Sequence, residues 1–225
     1  FNASINAILR KNQEHSEFDA ATYTGFTDVS FLHAQNIYSI GLVAQQFNID
    51  GNNYRQLTGI NLDWSRHLSQ KSTLQTFLQF SKQDFDDQEA RNVDTGTIGI
   101  DFTKRLNTSL SPVIFSSVYI AQDKPVDNSD IAKQIAERDY YGARIGTILS
   151  TSTKTSVQLS LNYQDSEYGL ADINGILRED NHINTQLSFT WLLSRHWSLL
   201  ADAVYIQNDS NNTIHTYDRK QASIS

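Results

Sequence analysis

The stretch TSVQLSLNY alternates residue by residue. Thr155, Val157, Leu159, Leu161 and Tyr163 fall on one side of an extended chain, and Ser156, Gln158, Ser160 and Asn162 fall on the other. A period of two is the mark of a strand with one apolar and one polar face. The pattern returns in INTQLSFTWLL, in YRQLTGINLDW and in GTIGIDF, while runs with the helical period are scarce. Read this way, the chain holds about twelve strands, near residues 2–10, 19–30, 36–47, 53–66, 72–83, 92–104, 109–122, 138–150, 154–164, 181–193, 196–207 and 216–225.

These runs are too long for an ordinary soluble sheet, whose strands have roughly 5 or 6 residues. A tilted strand that crosses a bilayer needs about 9 to 11, and the runs meet that length. The connections alternate as well. Four related phrases, HLSQKSTL, RLNTSLSP, ILSTSTKTSV and LLSRHWSLL, place a Leu at 68, 106, 149 and 193, at separations of 38, 43 and 44 residues. A period near 40 is one hairpin plus one loop. The phrases read as tight turns, and between them lie longer polar segments: QDFDDQEARN, QDKPVDNSDIAKQIAE, residues 164–181 and QNDSNNTIHT. Short on one side and long on the other is the connectivity of an antiparallel, up-and-down transmembrane β-barrel. The expected fold is therefore all-β, with the short turns in the periplasm and the long loops outside the cell.

Composition agrees once periodicity is considered. No run of 18 apolar residues exists and mean hydropathy is −0.46, so no transmembrane helix is expected. A strand with one polar face crosses lipid without a hydropathy peak. A net charge of −7 and a pI near 5.3 speak against nucleic acid as a partner. The absence of Cys excludes a disulfide framework and Cys-based metal sites.

Inside a membrane barrel the polar face points inward. Arg55, Asn61, Asp63, Asp101, Arg144, Gln158, Asn162, Gln186 and Asp202 are assigned to a polar lumen, and Arg91 is read as another inward charge. Two readings of these charges stay open: a passage for something polar, or salt bridges across the interior. Trp64, Trp191 and Trp197 lie near short turns, while Tyr163 and Tyr205 lie toward the longer segments. These five are assigned as aromatic anchors at the two membrane interfaces. Tyr54, Tyr119, Tyr140, Tyr141 and Tyr217 are counted with the second group. The six His, including His182 and His196, sit in no recognisable nucleophile or metal motif. The acidic segments around Asp84, Asp86, Asp87 and Glu89, and around Asp165, Glu167, Asp172, Glu179 and Asp180, lack the spacing of a calcium loop and read as solvated faces. No catalytic residue, metal site or cofactor is assigned.

Residues 178–225 resemble the end of the barrel domain of the surface lipoprotein assembly modulator (Slam) family. The resemblance is carried by the turn Leu193 to Leu199, the loop Asn208 to Asn211 and the final strand from Tyr217 to Arg219. Residues 45–85 look like earlier hairpins of the same family. The resemblance implies an outer-membrane barrel of about fourteen strands, usually preceded by periplasmic tetratricopeptide repeats, that helps move lipoproteins to the cell surface without catalysing a reaction. Twelve visible strands and the ending SIS depart from that pattern, so residues 1–225 are expected to be a single barrel domain, incomplete at one or both ends. Expected partners are outer-membrane lipids, a periplasmic helical-repeat domain and a surface lipoprotein or polysaccharide client. The alternative reading is a passive porin or exopolysaccharide-export channel.

Overall fold

A computed structural model describes residues 1–11, 17, 19–108, 110–171, 175–195 and 197–224. Twelve strands follow one another: β1 (Asn2–Arg10), β2 (Ala20–His33), β3 (Asn36–Ile49), β4 (Asn52–Ser69), β5 (Ser72–Phe85), β6 (Val93–Arg105), β7 (Val113–Pro125), β8 (Arg138–Ser150), β9 (Thr155–Tyr168), β10 (Glu179–Leu192), β11 (Ser198–Ser210) and β12 (Tyr217–Ile224). Each pairs antiparallel with its sequence neighbours, giving one sheet in the order β1 to β12. Among the described residues no ladder joins β1 to β12, so the sheet has two free edges.

The up-and-down order sorts the connections onto two ends. Residues 34–35, 70–71, 106–108, 110–112, 151–154, 193–195 and 197 lie at one, the turn end. Residues 11, 17, 19, 50–51, 86–92, 126–137, 169–171, 175–178 and 211–216 lie at the other, the loop end. All four Leu-Ser/Asn phrases fall at the turn end. They are not equally tight: 106–112 closes through Leu106 N–H to Pro112 O at 2.8 Å. Pro112 has no N–H to give a ladder, and β7 starts only at Val113, four residues later than the alternation suggested. At the loop end the exception is Asp50–Gly51. Both residues have positive φ, 51° and 75°, the backbone of a two-residue hairpin turn, for which Asp-Gly is a preferred pair.

Two further differences are physical. The polar residues from Gln164 onward belong to strands: Gln164 pairs with His182, Asp165 with Asn181 and Ser166 with Asp180. Backbone pairing does not require apolar side chains, so β9 and β10 continue past the end of the alternation. A short helix, α1 (Asp130–Ala136), stands in the segment 126–137. Ser129 caps it by accepting from Ala132 N–H at 3.2 Å, and Asp127 accepts from Ser129 Oγ at 2.7 Å.

The sheet is inverted relative to a soluble protein. Ile40, Leu42, Phe80, Ile98, Val118 and Ile120 lie on one face and are about half exposed. The opposite face holds the buried polar residues Asp123, Ser160, Ser166, Asp180 and Asn208. The sheet curves toward this polar side. Tyr119 on β7 reaches over Gly142 on β8 to donate to Gln164 on β9 at 2.9 Å. A Cβ at Gly142 would lie 2.4 Å from the Tyr119 ring, and one at Gly99 2.3 Å from Phe77. Glycine at these two positions lets inner rings lie flat against the backbone, a device of curved sheets.

Candidate translocation surface: the polar inner face

The ladders decide which side chains share a face. Residues directly opposite in an antiparallel pair point the same way, so a rung can be followed across the sheet. One rung runs Gln75, Asp101, Ser117, Arg144, Asn162, Asn184, Ile206 and Arg219 from β5 to β12. Closer to the turn end, Gln158, Ser188, Asp202 and Ser223 form another, beside Ser160, Gln186, Val204 and Gln221. Asn61 stands opposite Gly41 and Gln79, and Asp63 opposite Ser39 and Phe77. Arg55 stands opposite Phe47 and Phe85. Thus Arg55, Asn61, Asp63, Asp101, Arg144, Gln158, Asn162, Gln186 and Asp202 all lie on the inner face.

Their partners are mostly amides and hydroxyls. Arg55 donates to Gln45 Oε1 at 2.8 Å and to Gln83 Oε1 at 3.4 Å. Gln75 donates to Asp63 at 3.0 Å, Gln186 to Asp202 at 3.3 Å, and Ser188 also donates to Asp202. The Arg144 guanidinium lies 5.0 Å from the Phe115 ring centre. Among the described residues the ion pairs are Lys82–Asp84, Arg138–Asp123 and Arg178–Asp180, none of which involves the nine. A cavity of about 450 Å³ between β4 and β9 is lined by Asp63, Gln75, Asp101, Ser117, Tyr119 and Gln164 among others.

At the loop end this face tightens into two clusters that the alternation alone did not reveal. In one, Tyr54 makes edge contacts with Phe47 at 5.8 Å and Phe85 at 5.9 Å. Arg91 lies 4.3 Å over Phe85 and donates to Tyr54 Oη at 2.7 Å. Tyr54 is the extra residue of a bulge, because the β3–β4 register slips between Phe47 and Asn48. Arg91, read from the sequence as an inward charge, closes a 3₁₀ turn (Glu89–Arg91) before β6. In the other cluster Arg138 donates to Asp123 at 2.7 Å and packs 4.3 Å over Tyr140, while Arg178 donates to Asp180 and packs 4.1 Å over Tyr168. The signal was present as Arg-x-Tyr within β8, whose members share one face of the strand, and as Arg-x-Asp, in which Arg178 immediately precedes β10.

The assigned anchors lie outside this face. Trp64 is on the outer face and donates to Asn36 Oδ1 at 3.2 Å. Trp191 is outer and Trp197 sits in the turn 193–197, 44% and 73% exposed. Tyr163 and Tyr205 are outer-face residues toward the loop end, and Tyr163 Oη donates to Asn181 at 2.6 Å. Tyr119, Tyr140 and Tyr217 belong to the inner face, not with these. His182 faces inward between Gln164 and Asn208. His196 and Asp172 lie outside the described residues. In the loop 211–216, burial and then Arg178 hold the His215 pKa below its ordinary value. Hydrogen bonds from Ser129 hold the Asp127 carboxyl below the usual carboxylate range.

The likenesses to known proteins agree with this architecture. OmpT of Vibrio cholerae, an outer membrane protein folded in vitro, matches with a TM-score of 0.52 at 6% identity, over 100% of this chain and 91% of that one. OccAB3 of Acinetobacter baumannii matches with a TM-score of 0.51 at 11% identity, over 92% of this chain and 54% of that one. At such identities the likeness speaks for the fold alone, and the fold is that of an outer-membrane β-barrel. No curated protein sequence matches. The family described as surface lipoprotein assembly modifier matches residues 1–225. An all-β up-and-down sheet with its polar face inward and a family match along its whole length lead to one conclusion: the chain belongs to the surface lipoprotein assembly modifier family.

Proposed function

We propose that this barrel is a translocation or export device that assists delivery of lipoproteins or other polar cargo to the cell surface, and that it carries no reaction of its own. The observation that carries the reading is the inner face: a largely polar surface from turn end to loop end, on which Arg55, Asp63 and Asp202 are bonded to amides, while the ion pairs Arg138–Asp123 and Arg178–Asp180 are confined to the loop end. Amide partners exchange readily for cargo hydrogen bonds, since a neutral exchange changes little free energy. The five aromatic side chains fit anchors at the two lipid interfaces. In this reading the turn end faces the periplasm, where a helical-repeat domain or partner would engage it, and the loop end is extracellular. Exposed apolar residues in three loop-end segments, Ile131 and Ile135 of α1, Ile176 and Ile214, suit contact with an emerging lipoprotein client.

Co-expression of the barrel with a lipoprotein client tests this. Surface labelling of the client should rise over a strain without the barrel, and should fall when Asp63 and Asp101 are replaced by Leu. Unchanged display in both comparisons would remove the proposal. The cavity lined by Asp63, Gln75 and Asp101 favours a second reading, a passive porin or polysaccharide-export channel. Solute conductance in reconstituted liposomes without any effect on client display would select it.

A further inference from the structure

Charge is divided between the two ends of the sheet. The turn end carries Arg66, Lys71, Lys104, Arg105, Lys154 and Arg195, all exposed. No Asp or Glu occurs in the turns 34–35, 70–71, 106–112, 151–154 and 193–197, nor in the four turn-end residues of any strand. Apart from Asp28, Asp63, Asp101 and Asp202, which point to the inner face and pair with none of the six cations, acidic residues collect at the other end, for example Asp86, Asp87, Glu89, Asp127, Asp130 and Glu137. Among the described residues none of the six cations takes part in an ion pair. Six like charges around one rim repel one another unless an external anion is present.

A second observation says what that anion is. Along the outer face, side chains run in the same order on three strands. On β4 it is Ile60, Leu62, Trp64, Arg66, and on β6 it is Ile98, Ile100, Phe102, Lys104. On β10 it is Leu187, Phe189, Trp191, with Arg195 in the turn that follows. Aliphatic, then aromatic, then cation is the order met on leaving a bilayer: hydrocarbon, interface, phosphate. An acidic protein docking on the turns would leave that gradient along the barrel wall unexplained.

We propose that the turn-end rim binds the phosphates of anionic glycerophospholipids, with one or more basic side chains at four of its five turns. The site would hold the barrel at a fixed depth and bias its direction in an asymmetric bilayer. This rests on the membrane-spanning fold and not on the cargo, so it stands or falls separately from the translocation reading.

The test uses the full 225-residue chain folded in detergent micelles, with folding checked by heat-modifiable gel migration. Native mass spectrometry with equimolar phosphatidylglycerol and phosphatidylcholine should show selective retention of phosphatidylglycerol. Replacing all six cations by Gln should cut that preference by about tenfold or more, since each basic residue near an anionic surface is worth roughly a factor of five. A milder variant, Lys71→Gln with Lys154→Gln, changes only turn residues and should give a partial loss even if the sixfold variant fails to fold. Lys82→Gln with Lys124→Gln at the loop end should change nothing. The proposal is overturned if the wild type shows no preference, or if the turn variants keep it. It is overturned equally if millimolar inorganic phosphate displaces the lipid, which would make this a plain anion site. Binding of poly-glutamate without any lipid preference would point to an acidic protein and overturn it too.

Discussion

Leu159 and Gln158 are neighbours in sequence and opposites in environment. Leu159 is 49% exposed on the outer face and Gln158 is turned inward opposite Ser188. Leu159→Arg or Leu187→Arg should lower unfolding stability in lipid by about 2–4 kcal/mol near mid-membrane, whereas Gln158→Arg or Gln186→Arg should cost little. Urea titrations in liposomes check this, and equal tolerance at both positions would refute the face assignment. Gly142 permits a second residue-scale test. A methyl group there meets the Tyr119 ring at 2.4 Å, so Gly142→Ala should destabilise by about 1–3 kcal/mol through overpacking. Adding Tyr119→Ala should recover part of that loss, because the two changes share one contact. The alternation alone could rank Gly142 only as a small residue. Its role came from the ring on the neighbouring strand.

Strand identity was legible because period two persists in β4, β6, β9 and β10, where lipid demands one apolar face. Strand ends were less legible. Once β9 passes Tyr163 it leaves the apolar band, and Gln164 to Tyr168 are held by the backbone ladders and by polar contacts such as Tyr119 to Gln164, with no apolar alternation to mark them. The loop-end elements rest on local polar bonds, which are open to measurement. Ser129→Ala removes the cap of α1 and should cost roughly 1 kcal/mol locally, read as faster amide exchange at Ala132 and Lys133. His215 supplies a pH test. Its folded pKa lies below 6.5, because burial and then Arg178 disfavour the charged ring. Between the depressed and ordinary values the folded loop binds fewer protons than the unfolded one, so its stability rises with pH there and falls on acidification. Exchange of the 211–216 amides, corrected for intrinsic rates, should therefore accelerate as pH falls through that window. In His215→Gln it should not.

Over the whole molecule the inner face is acidic toward the turn end, where Asp28, Asp63, Asp101 and Asp202 lie with Arg144 on the Asp101 rung. If solutes pass, cations should pass more easily than anions, and Asp63→Asn with Asp101→Asn should lower the K⁺ over Cl⁻ permeability ratio in planar bilayers. The two free edges belong to the same scale. β1 and β12 run antiparallel to each other, and hydrocarbon does not tolerate their unpaired N–H and C=O groups, so each edge needs a ladder partner in the membrane. Taken by itself, the sequence determined the all-β fold, the up-and-down order, the grouping of nine polar residues on one face of the sheet and the sorting of turns from loops, since each follows from a periodicity that lipid and water impose locally. Only the tertiary structure decided what meets across the curved interior: Tyr119 over Gly142, Arg91 on Tyr54, Arg138 with Asp123, and the open seam. Those contacts depend on register and curvature, which are set by pairing between strands and leave no trace in any one of them.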